Sequence, residues 1–189
     1  MKEKIRAFIA IDLPDEVKEA LKRVQEELKK SPVKASWPKV ESMHLTVRFI
    51  GDIDAGIIED VTAALEDAAC GVGGFELRTD GLGGFPTLAR PRVLWIGIEE
   101  SPELRLLYEK IEKRLEAIGF ERDKKGFHPH ITLCRIKNPA DRRALGRCAG
   151  MVKEKTAVAF SVREVILYRS DLKPTGAVHT VLKAVELKG

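Results

Sequence analysis

Imidazole exchanges protons near neutral pH more readily than any other side chain, and this chain of 189 residues contains only four histidines. Two of them open segments of the same form, His44-Leu45-Thr46-Val47 and His130-Ile131-Thr132-Leu133. On an extended strand, residues i and i+2 share a face about 7 Å apart and the residues between them point the other way. Each segment would therefore present an imidazole and a hydroxyl together, with Leu45 and Val47, or Ile131 and Leu133, anchored in a core behind them. One such pair is ordinarily just the polar face of a strand. Two among four histidines would arise by chance on the order of 1% of the time, so a shared role is the better reading.

Two imidazoles suggest an acid and a base. In phosphoryl transfer the entering and leaving oxygens lie roughly in line across phosphorus, so one proton is taken on one side while another is supplied on the other. The threonine hydroxyls could hydrogen-bond the non-bridging oxygens as charge gathers on them. A strained five-membered 2',3'-cyclic phosphate could be opened by these groups alone, whereas unstrained diesters often recruit metal ions. The residues point to metal-independent opening of a cyclic phosphodiester with no cofactor. Two other readings compete. His128 and His130 have a spacing that can chelate a metal, although Pro129 disturbs strand regularity and no third His or carboxylate adjoins them. A non-catalytic RNA-binding module would interleave exposed aromatic and basic residues. Here aromatic content is 6% and Trp37 is the one isolated stacking candidate, which disfavours that reading.

The rest of the chain has the means to position these strands. A 44% hydrophobic content supports a real core. No apolar run approaches the ~18 residues of a membrane span, and Met1-Lys2-Glu3-Lys4 leads straight into a strand-like segment, so a cytoplasmic protein is expected. Cys70, Cys134 and Cys148 are odd in number and widely spaced, suggesting idle thiols rather than disulfides or a zinc site. A charge of +4 with a pI near 8.9 permits a polyanionic partner without demanding one.

Arg6 to Ile11 reads as a buried strand ended by Asp12-Leu13-Pro14. Val17, Leu21, Val24 and Leu28 predict a helix from Asp15 to about Lys30. The first His-x-Thr strand runs from Met43 to Ile50, and a second helix from about Ala55 to Ala69. Phe75 to Thr79 is strand-like, and Gly81-Leu82-Gly83-Gly84 reads as a turn, lacking the form of a phosphate loop. The pattern then restarts. Val93 to Ile98 is a strand, Ser101-Pro102-Glu103 caps a helix, and Leu104, Tyr108, Ile111, Leu115 and Ile118 form its stripe up to Gly119. After the second His-x-Thr strand come a polar, basic helix from about Ala140 to Val152 and strands at Val158 to Leu167 and Val178 to Leu187. Placing Trp95 on Phe8 and His130 on His44 needs offsets of about 87 and 86 residues. The expected fold is therefore α+β: a single domain over 1–189 with two pseudo-twofold-related lobes, about 5–85 and 92–187. Each lobe would be a mainly antiparallel sheet with helices on its outer face, and the His-x-Thr strands would meet in a central cleft.

The paired motifs, together with Arg6-Ala7-Phe8-Ile9-Ala10-Ile11-Asp12-Leu13-Pro14, Phe49-Ile50-Gly51 and Pro91-Arg92-Val93-Leu94-Trp95, resemble the 2H phosphoesterase superfamily. More narrowly, they resemble its LigT-type RNA 2',3'-cyclic phosphodiesterases, once called 2'-5' RNA ligases. The similarity runs nearly end to end. It implies that His44 is the proton donor to the departing 3' oxygen, that His130 is the acceptor activating water, that Thr46 and Thr132 bind phosphate, and that Arg135 contacts it. The implied partner is an RNA with a 2',3'-cyclic phosphate end, tRNA-derived or a short oligonucleotide. The implied product is a 2'-phosphate, with weak 2'-5' ligation as the reverse step, and the working unit is expected to be a monomer. Ser170 to Gly176 also resembles the family, while His179 stands where an aromatic residue such as Tyr is expected.

Overall fold

The alternation in the two His-x-Thr segments is realised as strands. The computed structural model describes residues 3–31, 33–124, 126–138, 141–149, 156–174 and 176–189. In chain order the elements are β1 (Lys4–Asp12), α1 (Asp15–Lys29), β2 (Ala35–Ser36), β3 (His44–Asp54), α2 (Ile58–Ala69), β4 (Phe75–Phe85) and β5 (Val93–Ile98). They continue with α3 (Pro102–Ala117), β6 (His130–Ile136), α4 (Asp141–Ala149), β7 (Ala159–Val162), β8 (Glu164–Lys173) and β9 (Gly176–Glu186). The sequence-based fold class holds. One sheet has the order β3-β1-β8-β9 and the other β2-β6-β5-β4-β7, with every pairing antiparallel.

The helices form where apolar residues recur at helical spacing, and they bury those stripes. Val17, Leu21, Val24 and Leu28 of α1 and Leu104, Ile111 and Leu115 of α3 are all within the core. The Ser101 hydroxyl accepts the Leu104 N–H at 3.1 Å, so α3 begins at the cap the sequence indicated. Ile118 lies past the end of α3 and is 42% exposed, so it is not part of the stripe. Of the basic helix expected from Ala140 to Val152, Asp141–Ala149 is observed; the remaining positions fall outside the described residues. Behind the polar face, Leu45, Val47, Ile131 and Leu133 are buried as the alternation requires, and truncating either leucine to Ala would cost about 2–5 kcal/mol.

Three expectations need correction. Gly81–Gly84 is the second half of β4 rather than a turn. Gly83 lies opposite Trp95, and a Cβ there would come within 2.0 Å of the indole, so the glycine leaves room for the ring to lie across the strand. The segment Val158–Leu167 is divided between β7 and β8, which belong to different sheets, and Ser170–Lys173 extends β8 into pairing with β9. Finally, Ala10 is the partner of Thr46 as Trp95 is of Thr132, so the strand before each motif corresponds at an offset of 95 − 10 = 85 rather than 87. A two-residue slip keeps every side chain on its original face, which is why alternation alone did not expose it.

Each sheet draws on both halves of the sequence. β4 from the first half joins β5, and β8 and β9 from the second half join β1. Two buried polar links also cross between the halves. The Gln25 side chain, 1% exposed on α1, donates through Nε2 to the backbone carbonyls of Leu133 (2.9 Å) and Pro38 (3.1 Å). In the other direction, Arg48 of β3 reaches Glu112 of α3, also 1% exposed, in an ion pair through its Nε. Glu112 additionally accepts the Asp123 N–H at 3.0 Å, and Arg48 donates to the carbonyls of Phe49 (3.0 Å) and Glu121. Each link seizes a His-x-Thr strand just past its threonine.

Candidate active site

The two motif strands meet. His44 and Thr46 from one sheet and His130, Thr132 and Arg135 from the other line a single cleft of about 860 Å³. The local construction is the same on both sides. The His44 Nδ1–H donates to the Ser42 carbonyl at 2.9 Å and the His130 Nδ1–H to the His128 carbonyl at 2.7 Å. A carbonyl can only accept, so Nδ1 carries the hydrogen in each ring and Nε2 is left to exchange a proton. In both strands the ladder to the neighbour skips the residue after the threonine, Val47 in β3 and Leu133 in β6. Such a bulge increases local twist and re-aims side chains, and bulges are common beside active sites.

The rings around the two histidines differ. His44 stacks on Phe8 with centroids 4.7 Å apart and meets His179 edge-on at 5.1 Å, with Tyr168 stacked behind Phe8. Burial pushes the His44 pKa down to about 4; the Ser42 carbonyl opposes this, nearby His179 adds to it and Asp12 opposes it. His130 meets Phe85 edge-on at 5.0 Å and Trp95 at 5.8 Å. Its pKa is also lowered, first by burial, against the effect of the His128 carbonyl, with His128 and Arg135 lowering it further. Arg135 is exposed at the cleft edge, close enough for its charge to be felt at His130. His128 is itself exposed, and its ring packs edge-on against Trp95 and Phe85. Among the described residues no group of three or more His, Cys, Asp or Glu side chains converges. Trp37, Lys39 and Lys173 also line the cleft.

Sequence reasoning missed the aromatic surround. Part of its signal was present: Phe8, Ala10 and Asp12 alternate on one face of β1, and Ala10 and Asp12 pair with Thr46 and His44, which puts Phe8 on the cleft face, where its ring stacks on the imidazole. His179, singled out as a departure, stands at the cleft with Nδ1 buried and without a hydrogen-bond partner. Gln25 and Glu112 were also legible as polar residues on otherwise apolar helix stripes.

The fold agrees with what comparison with known proteins finds. The family model for the 2'-5' RNA ligase superfamily matches residues 13–174, and the chain belongs to that superfamily. Its relatives include a protein from Methanothermobacter thermautotrophicus named RNA 2',3'-cyclic phosphodiesterase, 30% identical over 97% of this chain and 100% of that one. A protein of the same name from Thermotoga maritima is 33% identical over 98% and 97%. Among solved structures, TT0787 of Thermus thermophilus superposes with a TM-score of 0.80 at 31% identity, covering 98% of this chain and 99% of that one. E. coli LigT complexed with 3'-AMP superposes at 0.77 with 26% identity, covering 99% and 100%.

Proposed function

We propose that this protein is an RNA 2',3'-cyclic phosphodiesterase that opens a terminal cyclic phosphate to a 2'-phosphate using His44 as acid and His130 as base. The observation that carries this reading is the pair of imidazoles, each held through Nδ1 by the carbonyl two residues earlier, facing one cleft from two sheets. His130 Nε2 takes the proton of a water as its oxygen attacks phosphorus, the P–O3' bond breaks, and His44 delivers a proton to O3'. The Thr46 and Thr132 hydroxyls donate to the non-bridging oxygens, and the Arg135 guanidinium pairs with the phosphate. No metal or cofactor takes part.

The assignment of His44 as donor and His130 as acceptor rests on the family resemblance, since burial lowers the pKa of both rings. An imidazole whose pKa is driven down to about 4 is a strong donor once protonated, but it is mostly neutral at pH 7 in the protein alone. An anionic phosphodiester beside the ring favours the charged form, so His44 takes up its proton as substrate enters. Weak 2'-5' ligation is the same step with an RNA hydroxyl attacking in reverse. The chain works as one domain and as a cytoplasmic monomer, on ends such as those of cleaved tRNA. The names of the relatives support the substrate class.

The test is incubation of the purified protein, in excess EDTA, with an RNA ending in a 2',3'-cyclic phosphate. A product with its phosphate on the 2' oxygen is expected. An untouched end, or turnover only after a metal is added, would overturn the proposal.

A further inference from the structure

The arginines of this chain fall into two populations. Arg6, Arg48, Arg78, Arg105, Arg114, Arg122 and Arg169 each have a carboxylate oxygen within 4.0 Å. Arg90, Arg92, Arg135, Arg142, Arg143 and Arg147 have none among the described residues, and apart from Arg23 and Arg163 they are the only arginines so placed. These six gather where the segment before β5, the end of β6 and α4 come together. Ile136 N–H donates to the Arg92 carbonyl at 2.8 Å, and Arg135 lies opposite Val93 in the ladder. α4 buries Leu145 and Ala149 beneath it. Its Gly146 rests on the 88–89 backbone so closely that a Cβ would sit 2.6 Å from the Leu88 carbonyl oxygen and 2.8 Å from that of Ala89. The result is a groove of about 380 Å³ lined by Ala89, Arg90, Arg143, Gly146 and Arg147.

Arg143 and Arg147 are four residues apart on one helix face, a spacing at which like charges destabilise a helix. Arg90 lines the groove with them, so three guanidinium groups share it with no carboxylate among its lining residues. An anion seated in the groove would relieve their mutual repulsion. We propose that the groove holds phosphates of the RNA strand upstream of the cyclic end, so that Arg135 and Arg92 lead the strand from the cleft to Arg90, Arg143 and Arg147. This rests on the RNA reading of the cleft and extends it: the enzyme grips the body of its substrate as well as the reacting nucleotide. Three strand steps from Thr132 to Arg135 and three residues from Val93 back to Arg90 bound the path at roughly 20 Å. A stacked strand rising about 3.4 Å per nucleotide spans that in about six nucleotides.

The experiment compares a cyclic mononucleotide with a cyclic-ended RNA of about twelve nucleotides, on the parent protein and on the double variant Arg143→Gln/Arg147→Gln. The KM for the long RNA should rise about tenfold in the variant, while kcat and the mononucleotide KM stay put. The slope of log(kcat/KM) against log salt for the long RNA should become shallower by about one to two. Unchanged kinetics on the long RNA, or an equal loss on both substrates, would overturn the groove. Binding of a 3'-hydroxyl RNA of the same length, followed by fluorescence anisotropy, separates this proposal from the catalytic one. Weaker binding by the variant supports the groove even if no cyclic end is opened, and equal binding sinks it even if turnover is normal.

Discussion

The flanks of His44 and His130 are built to one plan and furnished differently. Both rings are fixed by a carbonyl two residues back, both threonines precede a skipped residue in the ladder, and both strands are gripped by a buried polar side chain from the other half. Yet His44 lies against Phe8 with a second imidazole at its edge, whereas His130 lies against the touching rings of Trp95 and Phe85, near the exposed Arg135. Backbone symmetry sets where the two imidazoles stand. Side chains that break the symmetry decide how each holds its proton, and two like groups in unlike surroundings can divide acid and base work between them.

The most severe test removes one carrier at a time. His44→Ala and His130→Ala should each lower kcat/KM by about 10²–10⁴-fold with the fold retained, as loss of a general acid or base does. If only one substitution matters, the two flanks are not partners in one reaction. Circular dichroism of each variant separates lost chemistry from lost structure.

The two cross-links between halves should break unequally. Glu112→Ala leaves Arg48, a side chain only 12% exposed, with only the more distant Asp123 carboxylate at 3.9 Å and should cost up to about 3–5 kcal/mol in denaturant unfolding. Gln25→Leu removes neutral donors to two carbonyls and should cost about 1–3 kcal/mol. Equal costs would mean that charge adds nothing to the His44 side of the frame. Thr46→Ala and Thr132→Ala should be milder than the histidine changes, at about tenfold each in kcat, since each removes one donor to charge that other groups also stabilise.

Much of this comparison was legible in the sequence because it rests on local periodicity. The alternation about His44 and His130 and the stripes of α1 and α3 each need only their own residues to be read. Gly81–Gly84 escaped because glycine carries no side chain to mark a two-residue period; what makes the segment a strand is Trp95, lying across Gly83 from β5. The exchange of β4 against β8 and β9 between sheets escaped for a related reason, since pairing partners far apart in the chain leave no local trace. The aromatic surround is the intermediate case. Parity placed Phe8 on the right face, but only the pairing of Phe8 with Tyr168, and of Ser170 with His179, shows which rings assemble about His44.

The subtlest test concerns His179, because it acts on His44 through charge. Unfolded, His44 would bind a proton near pH 6.5; folded, chiefly because of burial and in part because of His179, it does so only near pH 4. Between those values the unfolded chain holds more protons, so this group's contribution to stability is complete above pH 6.5 and is lost as pH falls toward 4, amounting to at most about 3 kcal/mol. His179, itself lowered by burial, acts in the same direction. In His179→Phe the alkaline limb of the kcat/KM profile, which the proposed donor His44 sets by losing its proton, should move upward from about pH 4, and the loss of stability on acidification should shrink. Burial, the larger cause, remains, so the limb should stay below pH 6.5. A limb that does not move would mean that the neighbouring imidazole's charge is not felt at His44 and that burial alone sets the two flanks apart.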